Sequence, residues 1–217
     1  MAHRFLILLA SVLLAQEARA SFYSFQCGDL TQVEVYGEVD GSWTRSMNFV
    51  PKGATVIRFR SLGGLIEAGE QAMNRLRILA DQVKQKSGQK LKIVVAYECA
   101  SACTIFTAGV NNLAREGKLD LFIDSGVQLG FHAGFDTITQ TVYPFESLIR
   151  YYLKYGVSDQ WLEKNRATFS NRDMHWVSAR DPWLAGSNLL SNAKFASGDV
   201  TDFPIPLNEN CVQGLME

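Results

Sequence analysis

The chain has 217 residues, 47% hydrophobic and 20% charged, with 21 basic against 22 acidic side chains and a formal net charge of −1. That length suffices for one domain with a sizeable core, and the near-neutral balance leaves no electrostatic footprint for nucleic acid or anionic lipid. No internal repeat, low-complexity tract or Pro/Gly/Ser-rich linker divides the chain.

Residues 1–20 read as an export leader. His3 and Arg4 give a basic start, Phe5 to Ala15 is apolar, and Ala18-Arg19-Ala20 fits a small-x-small cleavage pattern. The expectation is cleavage between Ala20 and Ser21, a periplasmic or secreted product, and one domain over 21–217. An uncleaved anchor is the competing reading, but the apolar run is too short to span a bilayer comfortably. Cleavage removes Arg4, Glu17 and Arg19, leaving 19 basic and 21 acidic side chains, a net charge of −2.

Val33-Glu34-Val35-Tyr36-Gly37-Glu38-Val39 alternates as a strand does, and Gly41-Ser42 reads as a turn. Thr55 to Arg60 is a second strand, ending in Ser61-Leu62-Gly63-Gly64. Leu65, Ala68, Ala72, Leu76, Leu79 and Val83 then step by three or four residues, so a helix follows, closed by Ser87-Gly88. Leu91 to Tyr97 is a β-rich run. After it come Cys99-Ala100-Ser101-Ala102-Cys103 and an apolar segment from Thr104 to Val110, the order strand, tight turn, buried helix.

Leu119–Ile123 and Val127–Phe131 predict two short strands, the second leading into His132. Phe145 to Tyr155 predicts an amphipathic helix, and Ser158-Asp159 can cap another through Phe169. Beyond Asn171 the pattern loosens, and Pro204 and Pro206 argue for an extended tail. Strands alternating with helices imply βαβ units and a largely parallel sheet, an α/β fold with functional groups at the carboxyl ends of its strands.

Three groups sit at such ends. Ser101 lies where free backbone N–H groups and a helix dipole favour negative charge, although a serine there can merely cap the helix. A serine hydroxyl is a weak nucleophile without a base, and His132 is the natural one, since His175 is the only other histidine beyond the leader. Gly63 and Gly64 can present backbone N–H groups at close range.

The four cysteines, Cys27, Cys99, Cys103 and Cys211, form an even set in an exported chain and suggest disulfides. Three pairings are possible. Cys99 and Cys103 can meet across a turn, and Cys27 and Cys211 would then tie the two ends. A metal site at Cys99 and Cys103 has the wrong spacing and no nearby histidine, so neither metal nor cofactor is expected.

These motifs resemble a known family. Ser61-Leu62-Gly63-Gly64 followed by Glu67-Ala68-Gly69 is similar to the NSPGG…A turn and helix of ClpP-type serine proteases. Cys99-Ala100-Ser101-Ala102-Cys103 and Gly130-Phe131-His132 fall where that family carries its nucleophile and its histidine, and Val35 to Val39 resembles its first strand. The resemblance covers roughly residues 33–185, and the export signal and cysteines are closer to an exported ClpP-like branch.

The resemblance implies a ClpP/crotonase-like spiral of ββα units, with Ser101 as nucleophile and His132 as base. It implies Gly64 and Ala102 as oxyanion donors, with Gly63 shaping the turn. It also implies peptide or unfolded-protein substrates, a possible homo-oligomer and ATP-independent action, since no ATPase docking feature is identifiable. Leu62 stands where the family has proline. For the acid, Asp173 in Asn171-Arg172-Asp173-Met174, before Trp176-Val177-Ser178-Ala179, resembles the family's RD…SA stretch. Asp181 before Pro182-Trp183 and Asp136 are the other choices. A non-catalytic binding or assembly protein of the cell envelope, and an acyl-CoA enzyme of crotonase type, are the alternatives; export speaks against the latter.

Overall fold

The computed structural model describes residues 21–27, 30–50, 54–124, 126–136, 138–195 and 211–215, with backbone alone for 21–27, 30, 31, 46, 49 and 211–215. The leader and the Pro204-Pro206 segment lie outside these residues. Six strands run parallel: β2 (Leu30–Tyr36), β3 (Ala54–Ser61), β4 (Leu91–Ala100), β5 (Leu119–Ile123), β6 (Gln128–Phe131) and β8 (Ala193–Phe195). Antiparallel β1 (Ser21–Cys27), β7 (His175–Ser178) and β9 (Cys211–Leu215) complete one mixed sheet, in the order β7-β6-β4-β3-β2-β1-β9. The domain is therefore α/β with a largely parallel sheet, as the alternating strand and helix patterns imply.

Strand β4 is the hub. Its first half pairs with β5, which carries β8 beyond it, and its second half pairs with β6. Against β3 the register jumps: Phe59 faces Val95, but Ser61 faces Cys99. Two extra β4 residues are absorbed there, with Tyr97 in the left-handed region at φ 58°, a bulge that re-aims side chains. It swings Tyr97 outward, where the residue is 56% exposed.

Helix α1 (Gly41–Phe49) replaces the turn expected at Gly41-Ser42. Asp40 Oδ1 accepts from Ser42 N at 2.7 Å, satisfying an otherwise unpaired first-turn donor. Trp43, Met47 and Val50 then step onto one buried face. Trp43 meets Phe59 and Phe106 at centroid distances of 5.4 and 5.2 Å, and those two rings meet at 4.8 Å.

Helix α2 (Ile66–Ser87) buries Ala68, Ala72, Leu76, Leu79 and Val83 as the periodicity requires, but Leu65, which steps with them in the sequence, precedes the helix and is 59% exposed. It ends on Gly88 at φ 69°, whose N–H donates to Lys84 O. Helix α3 (Ala102–Arg115) is buried almost throughout. Helix α4 (Phe145–Lys154) follows β6, and the helix expected through Phe169 divides at Asn165 into α5 (Asp159–Lys164) and α6 (Arg166–Phe169). Ser158 caps α5, its Oγ accepting from Trp161 N. A second aromatic cluster, Phe131, Trp161, Phe169 and Trp183, packs under these helices and holds the end of β6. Among the described residues no helix is long and apolar enough to cross a membrane.

Trp43 is fully buried between the sheet and α3. Trp43→Ala should therefore cost about 3–5 kcal/mol of stability, read as a lowered urea midpoint with an unchanged slope.

Candidate active site

The strand-to-helix turn after β4 is built around Ser101. The residue sits at φ 53°, ψ −121°, outside the regions an L-residue prefers, and its hydroxyl does not cap α3. The capping role that a serine most often plays at such a position is thus absent here. Ser101 N donates to Gly130 O at 2.9 Å, tying the turn to β6. Its carbonyl accepts from Thr104 N at 2.9 Å and from Thr104 Oγ1 at 2.7 Å.

Thr104 spends its proton on that carbonyl, so at 2.6 Å its oxygen accepts from Tyr152 Oη, brought in by α4. Burial pushes the Tyr152 hydroxyl far above its ordinary value, so it stays a donor. This chain from Tyr152 through Thr104 to the Ser101 carbonyl holds a conformation that would otherwise cost about 1–3 kcal/mol. Neither partner is legible as a site residue in the sequence, although Thr104 stands three residues after Ser101, the spacing for side-chain-to-backbone bonding.

The Gly63-Gly64 turn packs directly on this feature. A Cβ on Gly63, at φ 116°, would lie 2.5 Å from Ser101 Cβ and 3.1 Å from Ser101 Oγ. A Cβ on Gly64, at φ 137°, would collide with the Val39 backbone. Val39 N donates to Gly63 O and Leu65 N to Val39 O, both at 2.6 Å, which fixes the turn. Gly63 N donates to Ser61 Oγ at 3.1 Å and is occupied. Among the described residues the N–H groups of Gly64 and Ala102 have no acceptor, so both remain available to a developing oxyanion.

His132 follows β6, whose Gly130 pairs with Ala100. Phe131 is fully buried in the aromatic cluster and anchors the histidine that follows it. His132 is half-buried, its ring 5.4 Å from that of Phe135. Its Nδ1–H donates to Ala133 O at 2.5 Å, which leaves Nε2 with the lone pair of a base. Burial lowers its pKa below the ordinary 6.5, partly opposed by the Ala133 carbonyl. Ala133 N in turn donates to Asn171 O at 2.7 Å.

No carboxylate bonds His132 among the described residues. Asp173 is exposed, and its backbone N–H donates to Asn171 Oδ1. Asp181 Oδ1 accepts from Trp183 N and caps a short 3-10 turn, the role that Asp before Pro commonly takes. Asp136 Oδ1 accepts from Ile138 N and Thr139 N in its own turn. Trp176 lies across from Gly130 on β7, 41% exposed, beside Met174, so the strand leading to His132 has an aromatic flank.

Cys99 and Cys103 are joined by a disulfide that spans Ser101. Both sulfurs are buried, and Cys99 Sγ also contacts Thr107 Oγ1 at 3.2 Å. The backbone register sets Cys27 opposite Cys211 across β1 and β9; the side chains of that pair lie outside the description. Among the described residues no cluster of His, Cys, Asp or Glu could hold a metal ion.

Gly63→Ala drives a methyl group into Ser101. A displacement on the order of 1 Å costs about 100-fold in rate, so labelling of Ser101 by a serine-directed probe should slow by about that factor. Gly117→Ala, also at positive φ but with open space around it, serves as the control and should leave the rate unchanged.

No protein-family model and no curated protein matches the chain. Among solved structures, a mutant ClpP1 from Listeria monocytogenes is similar, with a TM-score of 0.47 and 15% identity, over 76% of this chain and 91% of that one. A likeness that distant bears on neither the chemistry nor the partners of this chain.

Proposed function

We propose that the protein is a serine hydrolase, acting on peptides or unfolded segments without ATP, with Ser101 as nucleophile and His132 as base. The observation that carries this reading is the uncapped Ser101 hydroxyl, held at positive φ beside two backbone N–H groups without acceptors, those of Gly64 and Ala102. A capping serine needs neither the strained backbone nor the glycine pressed against it. In the acylation step Ser101 Oγ attacks the carbonyl carbon while His132 Nε2 takes the hydroxyl proton. The oxyanion forms against Gly64 and Ala102, and His132 returns its proton to the leaving amine. The Ala133 carbonyl does the orienting that a carboxylate does in a triad, holding Nδ1 protonated and Nε2 free.

Export is part of the same proposal. The order of residues 1–20 supports it, and so does a disulfide of the kind that persists in oxidising compartments. An intact mass that begins at Ser21 is the expected result for the exported protein; a retained leader would refute it. The non-catalytic alternative draws its support from Asp173, which is exposed and not bonded to His132.

Incubation with a fluorophosphonate followed by peptide mapping separates the readings. Covalent mass is expected on Ser101, absent in Ser101→Ala, and strongly slowed in His132→Ala because such groups act as a unit. With Ala133 O as the orienting group, Asp173→Asn should change the rate little, whereas a loss of about 10⁴-fold would show that a carboxylate closes onto the histidine during turnover. No adduct on the folded wild-type protein would leave a binding role.

The lowered His132 pKa sets the pH profile. Neutral imidazole persists below pH 6.5, so the labelling rate should stay at its plateau there and fall only at more acid pH. The linkage has the same sign. The unfolded chain takes up the proton first, so the His132 contribution to stability is complete above pH 6.5 and is lost as pH falls through the folded value. A midpoint above 6.5 would assign the base to another group.

A further inference from the structure

Strand β3 carries two arginines on the sheet face opposite Ile57 and Phe59, where the core lies. Arg58 is only 9% exposed. Among the described residues its Nε and Nη2, both buried, have no hydrogen-bond partner, and neither does Arg60 Nε. The carboxylate beside them is Glu34, on the neighbouring strand and opposite Arg58 in register. It approaches Arg60 Nε at 3.6 Å, beyond hydrogen-bond range. Glu34 thus pairs with Arg60 and not with Arg58, whose Nε/Nη2 edge has no partner among the described residues.

A buried ion normally survives only when it is paired. Nε and Nη2 lie on the same edge of the guanidinium, and their two parallel N–H bonds match the two oxygens of a carboxylate. The β4 bulge brings an aromatic wall to the same place. Tyr97 at φ 58° sets its ring 5.8 Å from Arg58 Cζ and 5.5 Å from Arg60 Cζ, and Tyr36 lies 4.6 Å from Arg60 Cζ. The Arg60 side chain is 41% exposed and Tyr97 56%, so the cluster opens to solvent on that side.

We propose that Arg58 and Arg60, framed by Tyr36 and Tyr97, form a binding site for a carboxylate, taken edge-on by Arg58 and flanked by Arg60. The carboxylate is either free in solution or carried by a peptide. The site stands at the carboxyl ends of β2, β3 and β4 and does not depend on whether Ser101 reacts.

Thermal unfolding of the full chain tests this in sodium acetate against sodium chloride at equal ionic strength. Further arms contain sodium sulfate, inorganic phosphate, N-acetyl-dialanine with a free carboxylate, and its amide. Acetate or the free-acid peptide should raise Tm saturably by about 2–4 °C over the chloride reference, and the amide should not. A shift with acetate assigns a free carboxylate, and a shift with the free-acid peptide alone assigns a peptide-borne one. Arg58→Met should abolish the shift. Arg58→Lys keeps the charge without the fork and should weaken binding about tenfold, which keeps the test decisive if the methionine variant does not fold. The proposal is overturned if no carboxylate raises Tm above chloride, if sulfate or phosphate does so and carboxylates do not, or if the shift persists in Arg58→Lys at full affinity.

Discussion

The close approach of two backbone turns organises this molecule. Gly63 ends one strand-to-helix connection and Ser101 begins the next, and they touch where only a residue without a side chain fits. Each turn is then tied elsewhere. The glycine turn is stitched to Val39 by two backbone bonds, and the serine turn to β6 through Gly130. Helices α2 and α3 leave from these two turns, so the layering of helices on the sheet and the shape of the site have the same origin. A left-handed serine would be a defect in a looser structure. Here the Tyr152–Thr104 chain, the Cys99–Cys103 bridge and the glycine contact over-determine it.

The proposed base is organised by economical means. A histidine needs its Nδ1 proton held so that Nε2 is free, and any good acceptor accomplishes this. The carbonyl of Ala133 is a neutral acceptor, so it stabilises an imidazolium less than a carboxylate does. Desolvation keeps His132 neutral to lower pH than usual, and the Ala133 carbonyl opposes that shift only in part. In the proposed arrangement this favours availability of the base over stabilisation of a charged intermediate.

The two faces of the sheet do different things. The face toward α1, α2 and α3 carries Ile57, Phe59 and the rings packed on them, a conventional apolar core. The other face carries Glu34, Arg58 and Arg60, where burial and charge conflict. The β4 bulge joins these arrangements. It supplies the two extra residues between Val95 and Cys99, which let the strand leave β5, reach β6 and arrive at Ser101, and it also turns Tyr97 outward over the arginines.

Much of this was legible in the sequence, for local reasons. Alternation marks β2, runs of apolar and β-branched residues mark β3 and β4, a 3.6-residue period marks α2 and an unbroken small-and-apolar segment marks α3, because each pattern records how much of the element is buried. Gly63-Gly64, Ser101 and His132 stand out because each follows an apolar strand, and strand ends are where an α/β fold collects polar groups. Helix α1 was hidden by Gly41-Ser42, a pair equally at home in a turn; burial of Trp43 and Met47 and the Asp40 cap decide it. The partners of the site were hidden more deeply. Tyr152 reaches Thr104 across 48 positions of chain, and the group that orients His132 is a backbone carbonyl, which carries no sequence identity at all. Asp173, Asp181 and Asp136 all look suitable in one dimension, yet two of them serve their own turns and the third lies exposed. The sequence by itself determined which residue types stand at the strand ends, since hydrophobic periodicity is a local property. Only the tertiary structure decided which of them face one another, since hydrogen bonding and the burial of Arg58 depend on contacts between segments far apart in the chain.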